Sequence, residues 1–160
     1  MMMAKTVKFF FIILLLLPLS CGFKVINKSE AKKFSITNVV STGDKRIGYK
    51  IKNYLLAYSK KDSQNEIIVN FNINKNKSIK EKNIKNEITK YQISLQVNLK
   101  FYKLDNAENQ KEINLKIDGN YTVDQIYSRT KSNEKKLIEN LTDNISGKLL
   151  DEIGIRLNDI

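Results

Sequence analysis

"TKYQISLQVNLKF", residues 89–101, alternates without a fault. Tyr91, Ile93, Leu95, Val97, Leu99 and Phe101 take one set of positions; Gln92, Ser94, Gln96, Asn98 and Lys100 take the other. Successive side chains of a strand leave opposite faces of the sheet, so this spacing predicts a strand with one face on an apolar core and one in water. Burial on one side is the habit of antiparallel sheets. Two further segments repeat the pattern. "EIIVNFNIN" (66–74) opposes Ile67, Val69, Phe71 and Ile73 to Asn70, Asn72 and Asn74, and "KEINLKIDGNYTV" (111–123) carries Ile113, Leu115, Ile117, Tyr121 and Val123. "KLDNAENQ" (103–110) suits a hairpin between the last two strands, and "FSITNVV" (34–40), short and β-branched before the turn signal "STGDKR", predicts a first strand.

Two segments change to helical spacing. In "DKRIGYKIKNYLLAYSKK" (44–61), Ile47, Ile51, Leu55 and Tyr58 share one face, with Asp44 as N-cap and Lys60 and Lys61 expected at the negative C-terminal end. In "KSNEKKLIENLTDNISGKLLDEIGIRL" (131–157), Leu137, Leu141, Ile145, Leu149 and Ile153 recur at every fourth position; Ser132 is the expected N-cap, and Gly147 and Gly154 weaken the last turns. The order is strand, helix, three strands, helix. Two amphipathic helices can cover the apolar face of one sheet, so the expected fold is α+β: a two-layer sandwich of about four mainly antiparallel strands against two helices.

The 160 residues carry a net charge of +11, a strong bias toward anionic partners such as nucleic acid, acidic headgroups or polyanionic glycolipid. Much of the excess falls in "NINKNKSIKEKNIKNEITK" (72–90), with lysines at 75, 77, 80, 82, 85 and 90. Its weak periodicity predicts an exposed loop between two strands. As function it reads as an anion-binding surface; the plain alternative is a solvated run of like charge.

The start of the chain is of a different kind. Lys5 and Lys8 precede the apolar run 9–17, and the small Ser20 stands before Cys21. A charged start, a short apolar stretch and a small residue at the cut describe a secretory signal over residues 1–20, leaving 21–160 as one domain. The run is too short for a bilayer, which needs about 20 apolar residues. Cys21, the only cysteine, followed by Gly22, fits a lipobox, although Pro18 holds the place where an aliphatic residue is usual. Cleavage there would make Cys21 the lipid-bearing first residue of a membrane-anchored protein. Loss of residues 1–20 removes two lysines and lowers the charge only from +11 to +9.

Catalytic chemistry finds little support. Histidine is absent, which excludes Ser/His/Asp and Cys/His arrangements and the usual metal motifs. Glu112, Asp118 and Asp124 could do acid–base work but have no activating partner in the sequence and read as surface or turn residues. Glycines are scattered singly, so no phosphate loop exists. Aromatic residues that could stack on bases (Tyr91, Phe101, Tyr121) share positions with Ile, Leu and Val, which places them in the core and argues against nucleic acid. The expectation is a non-catalytic binding or assembly protein without a cofactor, apart from covalent lipid on Cys21.

From "CGF" (21–23) through "FSITNV", "IKNYLLAY" and "TKYQISLQVNLKFYKLD" to "SRTKSNEKKLIENLTDNISGKLLDEI", the chain resembles the LPS-assembly lipoprotein family, LptE. The resemblance covers almost all of residues 21–160 and rests on the combination, not on any single motif. It implies a small lipoprotein on the periplasmic side of the outer membrane. There it would plug and help assemble a large β-barrel, LptD, and contact lipopolysaccharide (LPS) in transit. It also implies LPS-contacting basic residues before the Tyr-Gln strand and before the final helix. These fall near Lys85, with Lys82 and Lys90 as rivals, and at Lys131 in "TKSNE". The alternatives are another envelope accessory lipoprotein, such as a transport-system partner, or an anchored envelope enzyme.

Overall fold

The computed structural model describes residues 34–60, 63 and 65–157. The signal segment 1–20 and Cys21 lie outside the described residues. The elements run β1 (Ser35–Gly43), α1 (Lys45–Tyr58), β2 (Glu66–Lys82), β3 (Ile88–Lys103), β4 (Asn106–Thr122) and α2 (Tyr127–Leu157). One sheet of order β1-β2-β3-β4 carries both helices on a single face; β2, β3 and β4 pair antiparallel, and β1 pairs parallel with β2. The fold is α+β, as the two periodicities require.

The core is the alternation made solid. Ile67, Val69, Phe71 and Ile73 of β2, Ile93, Leu95, Val97, Leu99 and Phe101 of β3, and Ile113 of β4 are all buried. The helices close it with Ile47, Ile51 and Leu55, and with Leu141, Ile145, Leu149, Leu150 and Ile153. In β1, Ile36 and Val39 both face inward although they stand three positions apart. A bulge between Ile36 and Asn38 shifts the register by one, which restores the phase that strict alternation would lose. The opposite face of the sheet stays polar: Asn72, Asn98 and Asn114 stand side by side across three strands.

Two glycines make the close approaches possible. Gly43 ends β1 with φ +90, and a Cβ there would lie 2.0 Å from the carbonyl oxygen of Ile73. Only glycine turns the chain so tightly from strand into helix at this point. At Gly119, a Cβ would meet Leu137 Cδ1 at 2.6 Å, so the bare backbone lets α2 settle onto β4.

Several expectations need correction. The stretch 72–90 is not a loop: β2 runs to Lys82, β3 starts at Ile88, and only residues 83–87 form the turn. Cross-strand pairing from Asn74↔Gln96 to Lys82↔Ile88 holds these residues as strand despite their charge. The hairpin expected at 103–110 is present, its bend reduced to Leu104 and Asp105 between β3 and β4. The last helix begins at Tyr127, so Ser132 lies inside it and caps nothing. Asp124 marks its approach instead, accepting from the Ile126 N–H and, through its backbone carbonyl, from the Thr130 hydroxyl. Gly154 does not end the helix, which continues to Leu157. No basic residue occupies the last turn of α1; Lys60 lies beyond it and donates its backbone N–H to Phe34 O at 2.9 Å.

Candidate functional site

The helix-bearing face does not cover the full length of β2. Past Ile73, the inward positions of β2 are taken by Lys75, Lys77 and Ile79, all exposed, before a bulge between Ile79 and Glu81 shifts the register. Here β1 has ended and the first turns of both helices replace continuous cover. Asp44 caps α1 by accepting from the backbone N–H of Arg46 and Ile47, each at 3.1 Å. Its other oxygen takes Lys75 Nζ at 2.6 Å, which ties the helix start to β2. Burial opposes ionisation of Asp44, but the hydrogen bonds from Lys75 and Ile47 prevail and hold its carboxyl below the usual value.

Lys77 reaches further in. Its ammonium lies 4.2 Å from the centre of the Tyr91 ring and 5.2 Å from that of Tyr121, and the two rings stack with centroids 5.6 Å apart. Cations are attracted to the negative face of such rings, and the stem of the lysine covers them. The same ammonium reaches Glu134 Oε2 at 3.3 Å, and Lys131 Nζ meets that oxygen at 3.2 Å from the first turns of α2. Glu134 therefore sits between two cations. Burial works against its ionised form, yet Lys131 and Lys77 outweigh it and keep the carboxyl below the ordinary glutamate value. Lys131 is in turn held cationic chiefly by Glu134, while burial pushes the Tyr121 phenol up.

Between the start of α1 and the first half of α2 lies a groove of about 260 Å³. Arg46, Lys50, Lys75, Lys131 and Lys135 line it against Asp44, Glu134 and Glu139, over an apolar base of Ile47 and Ile138. Cations outnumber anions, and the positive N-terminal end of α1 adds to the same field. The arrangement can hold an anionic group beside apolar surface. It offers no nucleophile with a base and, among the described residues, no His/Cys/Asp/Glu cluster able to ligate a metal.

Of the four lysines that the family resemblance marks, Lys131 alone lines this groove. Lys90 lies in β3 and pairs with Glu81 at 2.7 Å, Lys82 ends β2 and donates to Asn86 Oδ1 at 2.8 Å, and Lys85 lies in the turn between the strands. Sequence reasoning named Lys75 and Lys77 only as members of the basic run 72–90, without singling them out, and missed Glu134. The signal was present: Ile73, Lys75, Lys77 and Ile79 continue the β2 alternation beyond its apolar half. Glu112 and Asp118 are exposed on the open face of the sheet; Asp124 lies at the approach to α2, 4.0 Å from Arg129.

Comparison finds the same architecture in solved structures of bacterial lipoproteins. No family model and no curated protein matches the chain in sequence. Similar in structure are lipoprotein B of Nitrosomonas europaea (TM-score 0.60, 15% identity, 86% of this chain and 93% of that one) and rare lipoprotein B of Shewanella oneidensis (TM-score 0.59, 12% identity, 76% and 97%). A minor lipoprotein of Acinetobacter baumannii follows the same fold (TM-score 0.53, 14% identity, 78% and 92%). At these identities the likeness is one of fold, and it spans nearly the whole of each relative.

Proposed function

We propose that this chain is the lipoprotein subunit of an LPS-export assembly: a non-catalytic partner of an LptD-like outer-membrane β-barrel, anchored through lipid on Cys21 and contacting LPS in transit. One observation carries the reading. Lys131, the residue the family resemblance marks for LPS contact, stands in a cationic groove beside apolar surface, on a fold shared with bacterial lipoproteins. LPS combines phosphates with acyl chains, and a groove with lysines over Ile47 and Ile138 is complementary to both. The localisation follows from the same reading: the periplasmic side of the outer membrane.

Affinity purification from native envelopes in mild detergent, followed by mass spectrometry, tests the partner and the anchor together. A large β-barrel should co-purify, and Cys21 should carry added lipid mass. Recovery of the chain without any barrel would overturn the proposal. In binding assays with purified LPS, Lys131→Gln should weaken the complex while leaving the unfolding midpoint unchanged, because the side chain is exposed and its ion pair contributes little to folding.

A further inference from the structure

The two edges of the sheet are treated differently. β1 is short and bulged, and its backbone is engaged from outside the sheet. Lys60 N–H reaches Phe34 O at 2.9 Å, Ile36 N–H reaches Ser59 Oγ at 2.7 Å, and Lys52 Nζ reaches Val39 O at 3.3 Å. Such devices blunt an edge against further pairing. β4 has 17 residues and keeps an unbroken register with β3 from Lys111 to Thr122. Its odd-numbered residues turn their N–H and C=O groups to β3, in phase with Val123 just beyond, whose N–H donates to Thr89 O at 2.9 Å. The even-numbered residues therefore turn theirs outward. Two side chains of α2 reach round to this edge: Arg156 Nη1 donates to Glu112 O at 2.7 Å, and Asn133 Nδ2 donates to Thr122 O at 3.3 Å. Between these clamps, the outward backbone groups of Asn114, Lys116, Asp118 and Asn120 meet no partner among the described residues.

We propose that this open stretch of β4 pairs antiparallel with the same stretch of a second copy of the chain, in one register, joining two sheets into one. Ile117 stands midway between Glu112 and Thr122. A two-fold axis at Ile117 therefore sets clamped residues opposite clamped ones and free residues opposite free ones. Asn114 then faces Asn120 of the second copy and Lys116 faces Asp118 of the second copy, each pair exchanging both backbone bonds. Charge selects this register. Lys116 and Asp118 are exposed on the open face, lie beside Gln96 and Ser94 in their own sheet, and have no ion-pair partner among the described residues. About Ile117 each finds the opposite charge across the junction, twice by symmetry. A slide to pairing about Lys116 or about Asp118 sets like charges face to face, which is unfavourable. On the helix-bearing side Ile117 meets its own copy, and Leu115 faces Gly119 of the second copy, large against small. Leu115 and Ile117 are half-buried as they stand and gain from the added cover. The occupant is a second copy because one surface supplies both complements. The join is shorter than a standard interface, so the pair is reversible. It also excludes the barrel, since a copy enclosed in a barrel lumen cannot extend its sheet into another. Pairing belongs to the chain before docking, when a long flat edge is otherwise bare.

The test uses the purified full chain in mild detergent, apart from any barrel, so its outcome is independent of the proposed export role. Sedimentation equilibrium over a concentration series should show a monomer–dimer exchange. Hydrogen exchange at residues 114–120 should slow as concentration rises, while that of β1 should not change. Lys116→Glu and Asp118→Lys each place like charges across the junction twice, and each should weaken pairing about tenfold or more. An equimolar mixture of the two variants should pair as tightly as the unaltered chain, because only the mixed pair has opposite charges at both crossings. Circular dichroism should be the same throughout, since both side chains are exposed. A monomer at every concentration, pairing indifferent to either variant, or a mixture that pairs no better than its components would each overturn the proposal. So would protection of residues 114–120 that ignores concentration and arises only when an LptD-like barrel is added, which would assign the edge to the barrel.

Discussion

The two halves of β2 share one strand and one continuous ladder with β3, yet they solve different problems. From Ile67 to Ile73 every inward side chain is apolar and buried, with β1 on one side, β3 on the other and α1 above. From Lys75 to Ile79 the inward positions are charged or exposed, and ion pairs to Asp44 and Glu134 replace packing. Backbone pairing is indifferent to this change; burial is not. The difference teaches that a strand can be extended past its core by its neighbour's hydrogen bonds, and that the extension is then free to carry surface chemistry.

The contrast can be broken most severely from its buried half. Phe71→Ala should cost about 3–5 kcal/mol by leaving a cavity between sheet and helices, measured by denaturant unfolding. Loss of less than about 1 kcal/mol would show that the half is not close-packed. Next comes the hinge between the halves. Gly43→Ala forces a positive φ on alanine and a Cβ against Ile73 O, and should cost about 2–3 kcal/mol in the same assay. Asp44→Ala removes the N-cap of α1 and the partner of Lys75 together, for about 1–2 kcal/mol, with Asp44→Asn recovering part of it as a cap without the charge.

The smallest effect is in pH. Asp44 and Glu134 have carboxyls below their ordinary values of 3.8 and 4.5 in the folded chain. The unfolded chain therefore takes up protons first on acidification. Their contribution is complete above about pH 4.5 and is lost as pH falls through the two folded values. In the Asp44→Asn/Glu134→Gln variant the acid branch of a stability–pH profile should flatten by less than about 1 kcal/mol, since both pairs are half-open to solvent. A steeper acid branch in the variant would contradict the geometry of the charged half.

How much of this was legible in the sequence follows the same division. Wherever side chains alternate against a core, as at 89–101, the strand and its inward set could be read directly, and the helical stripe from Leu137 to Ile153 likewise. The charged half of β2 was hard to read because both its faces are polar, Lys75 and Lys77 on one and Asn74, Asn76 and Ser78 on the other, so that only their phase with Ile73 and Ile79 marked it as strand. Its structure comes from β3 alongside, a nonlocal partner that composition cannot show. The start of α2 was missed for a related reason: Asp124 and Thr130 bond across a loop, whereas Ser132 merely has the right chemistry for a cap. In the groove, Lys131 was found by resemblance, but the second cation on its partner Glu134, Lys77, emerges only when β2 and α2 are brought together.

The parallel pairing of β1 with β2 has a mechanical meaning. The chain enters β1 at Phe34 at one end of the sheet, and β2 leaves toward the turn at the other. A pull between those two points drags neighbouring strands past each other along their length. All eight pairs from Ser35↔Glu66 to Gly43↔Ile73 would then bear the load at once instead of opening one after another. A body held at its N-terminal side and tugged at its far tip is thereby loaded in shear, the direction in which a β-ladder yields last.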